Sequence, residues 1–175
     1  MRYDLLEGGK VTLRGVLDSD VDLLFDWENR PEFWHLGDEH NPLSKDQISA
    51  FIHHSTGDIF IDGQLRLMID LRKETIGCID LFEFDQHNQR AGVGILIADS
   101  KNRKFGFAKE ALRLLTNYCF NVHDFRQLYC HIPVDNEASL KLFGSCNFKE
   151  TGRCKDWVKK ENEFIDAVFM QRVNG

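Results

Sequence analysis

The sequence predicts one α/β domain of the α+β kind, with both strands and helices. Three stretches, over 65–71, 75–85 and 90–97, alternate apolar and polar residues with a period of two and predict consecutive strands. Apolar residues recur at helical spacing over 106–122, which predicts an amphipathic helix directly after the third strand. The chain has 175 residues and contains no repeat, linker or low-complexity segment, so we expect a single domain over 1–175.

The other elements follow from local start and stop signals. Ser44 and Gln47 fit a capping box for a helix that follows a first strand and a first helix. From Phe60 the period changes from helical to two, and we expect extended structure from there. The remaining predictions are a strand over 10–16, a helix from 21 that Pro31 ends or restarts, a helix over 45–54, a strand over 127–134, a short helix over 136–145, and closing strands over 148–158 and 163–173.

Composition narrows the class of partner. The formal net charge is −6, and nucleic-acid-binding proteins usually carry a basic face, so nucleic acid is not expected as the main partner. An acidic surface suits a cationic substrate better. The sequence leaves the oligomeric state open, a homo-oligomer included.

Cysteine and histidine usage predicts neither disulfides nor a metal site. Five cysteines, without a Cys-x-x-Cys pair, indicate free thiols in a reducing compartment. The seven histidines show no metal-ligand spacing. The N-terminus does not resemble a signal peptide, and no apolar run approaches the ~20 residues of a membrane helix. We therefore expect a cytoplasmic protein without a membrane partner.

A polar loop joins the third predicted strand to the amphipathic helix. A strand that leads through such a loop into a helix N-terminus favours anion binding, because the first helical N–H groups have no partner within the helix. Gly106 allows a ligand to approach the backbone closely, and Arg103 and Lys104 add positive charge. These residues favour a phosphate or pyrophosphate, although a plain connection with a solvated basic edge fits them equally well. The sequence contains neither a P-loop nor a dinucleotide-binding fingerprint.

Two motifs in this region resemble one known superfamily. Arg103-Lys104-Phe105-Gly106-Phe107-Ala108 matches the Arg/Gln-x-x-Gly-x-Gly/Ala signature of the GCN5-related N-acetyltransferases (GNAT). Asn136-Glu137-Ala138-Ser139, followed by Asn147-Phe148-Lys149-Glu150-Thr151-Gly152, resembles the Asn-x-x-Ser helix and the following strand of that superfamily. The order of the predicted elements agrees over nearly the whole chain. The closest resemblance is to the branch of ribosomal-protein-alanine and spermidine/diamine N-acetyltransferases.

The resemblance implies a fold and a co-substrate. The fold is a mixed, mostly antiparallel sheet of six to seven strands, with helices on both faces and a V-shaped split between two central strands. Acetyl-CoA is the implied co-substrate, with its pantetheine arm in the split and no metal. The residues implied to bind it are Ile95, Leu96, Ile97, Arg103, Lys104, Phe105, Gly106, Phe107, Ala108, Asn136, Ser139 and Phe143.

The resemblance assigns no complete catalytic pair. Many members carry a tyrosine as general acid where this chain has Phe143, and a phenyl ring cannot donate a proton. Cys146, His131 and Tyr129 are the candidates for that role, and we expect His131 because an imidazole titrates near neutrality. A histidine satisfied by a neighbour within a strand is the alternative.

Two carboxylates are candidates for the general base. Glu83 and Asp85 lie two residues apart, so the strand period places both on one face, and we expect Glu83 to act, through water. Solvent-facing charges at the end of a strand are the alternative. Another position that often holds a carboxylate in the superfamily is Gly92 here.

The expected reaction is acetyl transfer to a primary amine, by direct attack in a ternary complex. The amine belongs to a polyamine, a diamine or a protein N-terminus, and Trp34, Asp38 and Glu39 are the candidate substrate-binding residues. The acidic residues that attract a polycation at long range, or form only a solvated face, are Asp22, Asp26, Glu28, Glu32, Asp38 and Glu39. The alternative that Phe143 suggests is a module that binds acetyl-CoA without catalysis.

Overall fold

A seven-stranded sheet carries the helices of the chain on its two faces. The computed structural model describes residues 6–36 and 41–175, with the backbone alone for 34–36. Strands in the described residues are Thr12–Gly15 (β1), Leu65–Leu71 (β2), Glu74–Asp85 (β3), Arg90–Ile97 (β4), Gln127–Pro133 (β5), Lys149–Lys160 (β6) and Glu163–Val173 (β7). The α-helices are Val21–Glu28 (α1), Lys45–His54 (α2), Ile59–Asp62 (α3), Phe107–Val122 (α4) and Glu137–Ser145 (α5). Short 3-10 turns cover Asp18–Asp20, Pro31–Leu36 and Ser100–Asn102.

The sheet splits between its two central strands. Its order is β1-β2-β3-β4-β5-β7-β6, with every neighbouring pair antiparallel except β4 and β5. These two pair in parallel over three positions only, from Arg90↔Gln127 to Gly92↔Tyr129. Farther along, β4 remains paired with β3 and β5 with β7. The mixed sheet and the V-shaped split are therefore confirmed.

Separate apolar cores hold the helices on opposite faces of the sheet. The core under α4 and α5 contains Leu112 and Phe143 together with Leu128 and Cys130 of β5. The core under α1 and α2 contains, among others, Leu24, Ile48, Met68 and Cys78. Because side chains alternate along a strand, neighbouring residues of β2 and β3 supply the two cores. Helices on both faces follow from this alternation.

The local signals identified most element boundaries, with one error. The capping box is confirmed, since the Ser44 hydroxyl accepts from the Gln47 amide at 3.2 Å and the Gln47 side chain accepts from the Ser44 amide at 2.8 Å. Extended structure from Phe60 is wrong. The Asp58 carboxylate caps a short helix there, and Gly63 ends it at φ +70°. The strand begins at Leu65, after this helix.

The cysteines of the chain are free thiols. Four of them are buried, and Cys154 is half-buried. Burial raises the pKa of Cys78 and Cys130 to about 12, so both are protonated at neutral pH. No helix in the described residues is long and apolar enough to cross a membrane.

Candidate active site

The loop between β4 and α4 presents an open helix N-terminus. Gly106 is the N-cap of α4 at φ +83°, a left-handed conformation that glycine adopts without steric cost. Lys104 is also left-handed, at φ +69°. The described residues provide no side-chain cap for α4. The first-turn N–H groups therefore remain available to an anion, and the dipole of this 16-residue helix adds partial positive charge there.

Arg103 braces this loop against the end of β4. Its Nε donates to the Ile97 carbonyl oxygen and its Nη2 to the Ala98 carbonyl oxygen, each at 3.1 Å. The remaining guanidinium donors face solvent, since the residue is exposed. In the preceding 3-10 turn, the Asn102 side-chain Nδ2 is buried and has no hydrogen-bond partner among the described residues.

A second cation reaches the loop from the start of the chain. The Lys10 Nζ donates to the Phe105 carbonyl oxygen at 3.0 Å. The same nitrogen lies 3.3 Å from where a Cβ on Gly106 would stand. The Glu110 carboxylate holds this segment in place by accepting from the amides of Lys10 and Val11 at 2.7 and 2.8 Å. The loop motif gave no sign of Lys10, because the two are almost a hundred residues apart.

Both arms of the split carry polar groups at the end where β4 and β5 are no longer paired. On one arm, Ile95, Leu96 and Ile97 are half-buried, and the backbone edge of β4 that they share has no strand partner on the β5 side. On the other arm, Asn136 caps α5, with its Oδ1 accepting from the Ser139 amide at 3.1 Å. The Asn136 Nδ2 is a donor without a partner in the described part of the chain. The structure thus brings these predicted residues to the two sides of one opening.

The side chain at the position of the missing tyrosine lies in the core. Phe143 is 3% exposed and packs edge-to-face on Phe148, with 5.0 Å between ring centroids. Cys146, one candidate acid, is buried in the same core, with its Sγ 3.8 Å from the Lys109 carbonyl oxygen. Burial raises the pKa of the Cys146 thiol. The structure therefore separates Cys146 from Tyr129 and His131, which project from the other face of β5.

A continuous set of aromatic rings lies on that other face of the sheet. This aromatic row consists of Phe82, Tyr129, His131, Trp157 and Phe169. Adjacent ring centroids lie 4.8–6.4 Å apart, and His131 stacks on Trp157 at 5.4 Å with 21° between the planes. Trp157 is 58% exposed, so the outer end of the row is open to solvent.

Gly92 makes room for the inner end of the aromatic row. A Cβ at Gly92 would lie 2.3 Å from the Phe82 Cε2 atom, which is closer than any real contact. Phe82 therefore occupies the space that a side chain on residue 92 would need. This packing explains why the position carries no carboxylate in this chain.

Glu83 lies in a β-bulge and points to the aromatic row. Its φ is +49°, and the pairing of β3 with β4 shifts register between Phe82 and Asp85. The Tyr129 hydroxyl donates to the Glu83 Oε2 at 2.7 Å. Burial and this hydrogen bond raise the pKa of Tyr129, which keeps its hydroxyl protonated. Burial lowers the pKa of His131, so its imidazole is neutral at pH 7.

The expected shared face of Glu83 and Asp85 is wrong, because the bulge interrupts the alternation on which it depended. Asp85 instead organises the turn to β4. Its carboxylate accepts from the Asn88 amide at 2.9 Å, the Asn88 Nδ2 at 2.7 Å and the Arg90 guanidinium at 3.1 Å. Glu83 is thus the carboxylate of the two that faces the split.

Three of the four acidic residues of this set that the structure describes form ion pairs within the protein. Asp22 forms an ion pair with Lys45 at 2.6 Å, Asp26 pairs with Arg30, and Glu28 pairs with Arg66. Glu32 is exposed. Asp38, Glu39 and the side chain of Trp34 lie outside the described residues.

The model of the acetyltransferase (GNAT) domain matches residues 10–149 of this chain. The chain belongs to the GNAT acetyltransferase family. As a member it is an N-acetyltransferase, which confirms the enzyme class that the sequence predicted. No cluster of three or more metal-ligating side chains is present in the part of the chain that the structure describes.

Similar proteins point to the same family. The chain is 27% identical over 164 residues to the uncharacterized N-acetyltransferase p20 of Bacillus licheniformis, covering 92% of this chain and 90% of that one. It is 24% identical over 144 residues to the spermidine N(1)-acetyltransferase of Vibrio cholerae, covering 82% and 81%. The structure of Vibrio cholerae spermidine N-acetyltransferase in complex with CoA and spermine has a TM-score of 0.85 at 21% identity, over 95% of this chain and 97% of that one. That likeness shows that the GNAT fold is shared.

Sequence reasoning on this GNAT chain missed the aromatic row as well as Lys10. Phe82, Trp157 and Phe169 come from three strands that are distant in the sequence. Within its own segment, each of them is an aromatic residue of the kind that is common in β-strands. Trp157 in the closing hairpin was the available signal, since it lies among charged residues in the sequence, and the structure leaves it 58% exposed.

Proposed function

We propose that this protein transfers the acetyl group of acetyl-CoA to a primary amine of a polyamine or diamine, by direct attack in a ternary complex. The observation that carries the proposal is the open N-terminus of α4 beside the unpaired edge of β4. An anion-binding corner and a free strand edge lie together, and acetyl-CoA has a pyrophosphate followed by an amide-containing arm.

The residues available for acetyl-CoA fit this shape. The N–H groups of Gly106, Phe107 and Ala108 suit a pyrophosphate, with Arg103 and Lys104 supplying charge. The backbone of Ile95 to Ile97 offers the strand edge to the pantetheine amides and the thioester carbonyl. Asn136, which follows β5 and caps α5 through its Oδ1, offers its side-chain N–H groups as further donors. Holding the thioester in one position contributes to rate by orienting it toward the amine.

The aromatic row and Glu83 suit a cationic amine. Ring faces attract an ammonium group by about 0.5–2 kcal/mol, depending on how far it is desolvated. Five rings in series match a flexible polycation better than a single charge. The Glu83 carboxylate supplies an opposite charge at the inner end of the row, where Tyr129 fixes its orientation.

Two protons must leave the amine in this reaction. Glu83 accepts the first, from the substrate ammonium, directly or through a water. The neutral imidazole of His131 accepts the second as the new amide bond forms, and returns it to the leaving thiolate. Because the pKa of His131 is lowered, its imidazole is neutral before the reaction and can accept a proton before it donates one.

A thiol-release assay tests the proposal. Spermidine, spermine and putrescine should release CoA, whereas peptides with a free N-terminal Ala or Ser should be poor acceptors. The Glu83→Gln variant should lower kcat by about 10²-fold, as expected for loss of a general base. Asp85→Asn is the matched control, because its carboxylate serves the turn and should leave kcat near the wild-type value. Turnover confined to the peptides would exclude polyamines as the substrate class, and an unchanged kcat in Glu83→Gln would remove Glu83 as the base.

Phe143 favours a second candidate function, a protein that binds acetyl-CoA without turnover. Its side chain is 3% exposed and has no proton to give. Calorimetry with acetyl-CoA, combined with the same amine panel, separates the two functions. Binding without thiol release from any amine would favour the second.

A further inference from the structure

Two glycines of β4 lie beneath one aromatic ring of β3. Gly92 and Gly94 are two residues apart, so the strand period places both on the same face of β4. Phe82 is the cross-strand partner of Gly92. A Cβ on Gly92 would lie 2.3–2.7 Å from three atoms of the Phe82 ring, whereas a Cβ on Gly94 would lie 3.7 Å from its nearest neighbour, the Phe82 Cε1 atom. The ring therefore packs directly on the backbone of β4 at Gly92, as aromatic side chains do over glycines of a neighbouring strand.

The Phe82 ring lies at the vertex of the split. Gly92 pairs with Phe82 of β3 and with Tyr129 of β5, and in the described residues the second pair is the last before the central strands part. Because residue 92 has no side chain, the rings of Phe82 and Tyr129 meet edge-to-face, with 6.4 Å between centroids and 81° between planes. The Tyr129 hydroxyl in turn donates to the Glu83 Oε2 at 2.7 Å. Contacts thus run from the ring on Gly92 through Tyr129 to the carboxylate.

The bulge in β3 decides which face of the sheet carries the Glu83 carboxylate. Leu81 is buried in the core under α4, and in a regular strand Glu83 would point to that same face. The bulge interrupts this alternation, so the carboxylate reaches Tyr129, and Phe84 joins the core and stacks on Phe125 at 4.9 Å. The left-handed φ of Glu83, +49°, is unfavourable for a glutamate by itself, so the surrounding packing must hold it.

We propose that Phe82, packed on Gly92, is a positioning residue for Glu83. The inference rests on the proposed function, in which Glu83 accepts a proton from the substrate ammonium. The ring fixes Tyr129 and fills the space beside Gly92, and it thereby holds the bulge in the arrangement that turns the carboxylate toward the aromatic row. Phe82 acts through Glu83 and needs no contact with the reacting atoms. Accurate placement matters, because a shift of about 1 Å in a catalytic group can cost about 10²-fold in rate.

Gly92→Ala tests this inference, because its Cβ must displace the Phe82 ring. We expect kcat with spermidine to fall about tenfold, while the KM for acetyl-CoA changes by less than about twofold. Gly94→Ala is the matched control, since it adds the same methyl group to the same strand face, at an ordinary contact distance of 3.7 Å from the same ring. Its kcat should stay within about twofold of the wild-type value.

A double variant separates positioning from a general effect on structure. In the Glu83→Gln background, Gly92→Ala should lower kcat by less than about twofold, because residues that act as a unit do not have additive effects. A further tenfold loss in that background would overturn the inference, since Phe82 would then act on amine binding or on the fold. Thermal unfolding shows whether each variant is folded. If Gly92→Ala does not fold, Phe82→Leu takes its place with the same expectations, because it removes the ring and keeps an apolar side chain.

The remaining outcomes distinguish the inference from the proposed function. Wild-type kcat in folded Gly92→Ala, together with an impaired Glu83→Gln, would refute the positioning role and leave the proposed function standing. Unchanged kcat in Glu83→Gln would remove the base on which both depend. If the wild-type protein releases no CoA with any amine, the proposed function and the inference fail together.

Discussion

The cations on the two faces of the sheet have different surroundings. On the α1 and α2 face, the Arg66 guanidinium donates to both oxygens of Asp80, at 2.7 and 3.0 Å, and also pairs with Glu28. Arg14 likewise binds two carboxylates, those of Asp20 and Asp70. On the α4 face, Lys109 and Arg113 have no carboxylate partner in the described residues.

This difference separates charge that holds the fold together from charge that remains available to a ligand. Arg66 joins β2 to β3 and to α1, and Arg14 joins β1 to β2 and to the turn before α1. These arginines act as cross-links, so their removal leaves carboxylates behind without their counter-ion. Lys109 and Arg113 can be removed without that consequence.

Removal of Arg66 is the strongest test of the difference between the two groups of cations. We expect Arg66→Ala to lower the free energy of unfolding by about 3 kcal/mol, because two half-buried carboxylates lose their counter-ion. Arg113→Ala should change it by less than about 0.5 kcal/mol, as is usual for exposed residues. Urea denaturation of the two variants measures both values. Equal losses would mean that Arg113 also stabilises the fold.

A smaller effect follows at Asp20, which is 5% exposed. Burial opposes its ionisation, but hydrogen bonds from Arg14 and from the Leu17 amide outweigh burial and hold its pKa below the usual value. The folded state therefore releases this proton more readily than the unfolded chain. The carboxylate stabilises the protein above its unfolded pKa, and the contribution is lost as the pH falls through the folded pKa.

Asp20→Asn should lower the unfolding free energy at pH 7 by about 2 kcal/mol, since Arg14 loses a charged partner. The variant should also lose less stability than the wild type as the pH is lowered from about 5 to 3. Thermal unfolding across that range checks the slope. Parallel pH profiles for the two proteins would contradict the assigned role of Asp20.

The smallest expected effect concerns ligand affinity rather than stability, and it tests the loop before α4. Gly106→Val should weaken CoA binding about tenfold or more, because a β-branched residue resists the left-handed conformation and displaces the first N–H groups. Gly57→Val is the matched control, with φ +71° and open space around its Cβ position, in the segment between α2 and α3. It carries a similar backbone strain without touching the loop. Similar CoA affinity in both variants, by calorimetry, would show that the loop geometry is irrelevant to binding.

Periodicity and capping were enough to predict most of the fold. The strands β2, β3, β4 and β7 and the helices α2, α4 and α5 follow patterns that arise from neighbouring residues, and the structure places them within a few residues of the prediction. The sequence analysis did not predict the helix α3, because four residues are too few to show a helical period. Its signal was instead the Asp58 cap and Gly63.

The sequence predicted only those parts of the site whose residues lie close together in the chain. Gly106 and Arg103 belong to one motif, and the structure places both in the loop that precedes α4. The bulge at Glu83 could not be foreseen, because it results from register between two strands and from the Phe82 ring packed over Gly92. The position of Lys10 and the aromatic row depend on contacts between segments that are distant in the chain.

The short parallel pairing of β4 with β5 has a consequence for motion. In the part of the chain that the structure describes, three residue pairs form the backbone ladder between two halves of the sheet, each of which is otherwise built from antiparallel neighbours. Hydrogen exchange should therefore report two cooperative units, with amides protected to different extents on each side of the seam. A molecule bound between them would complete the interrupted ladder and slow exchange in both units together.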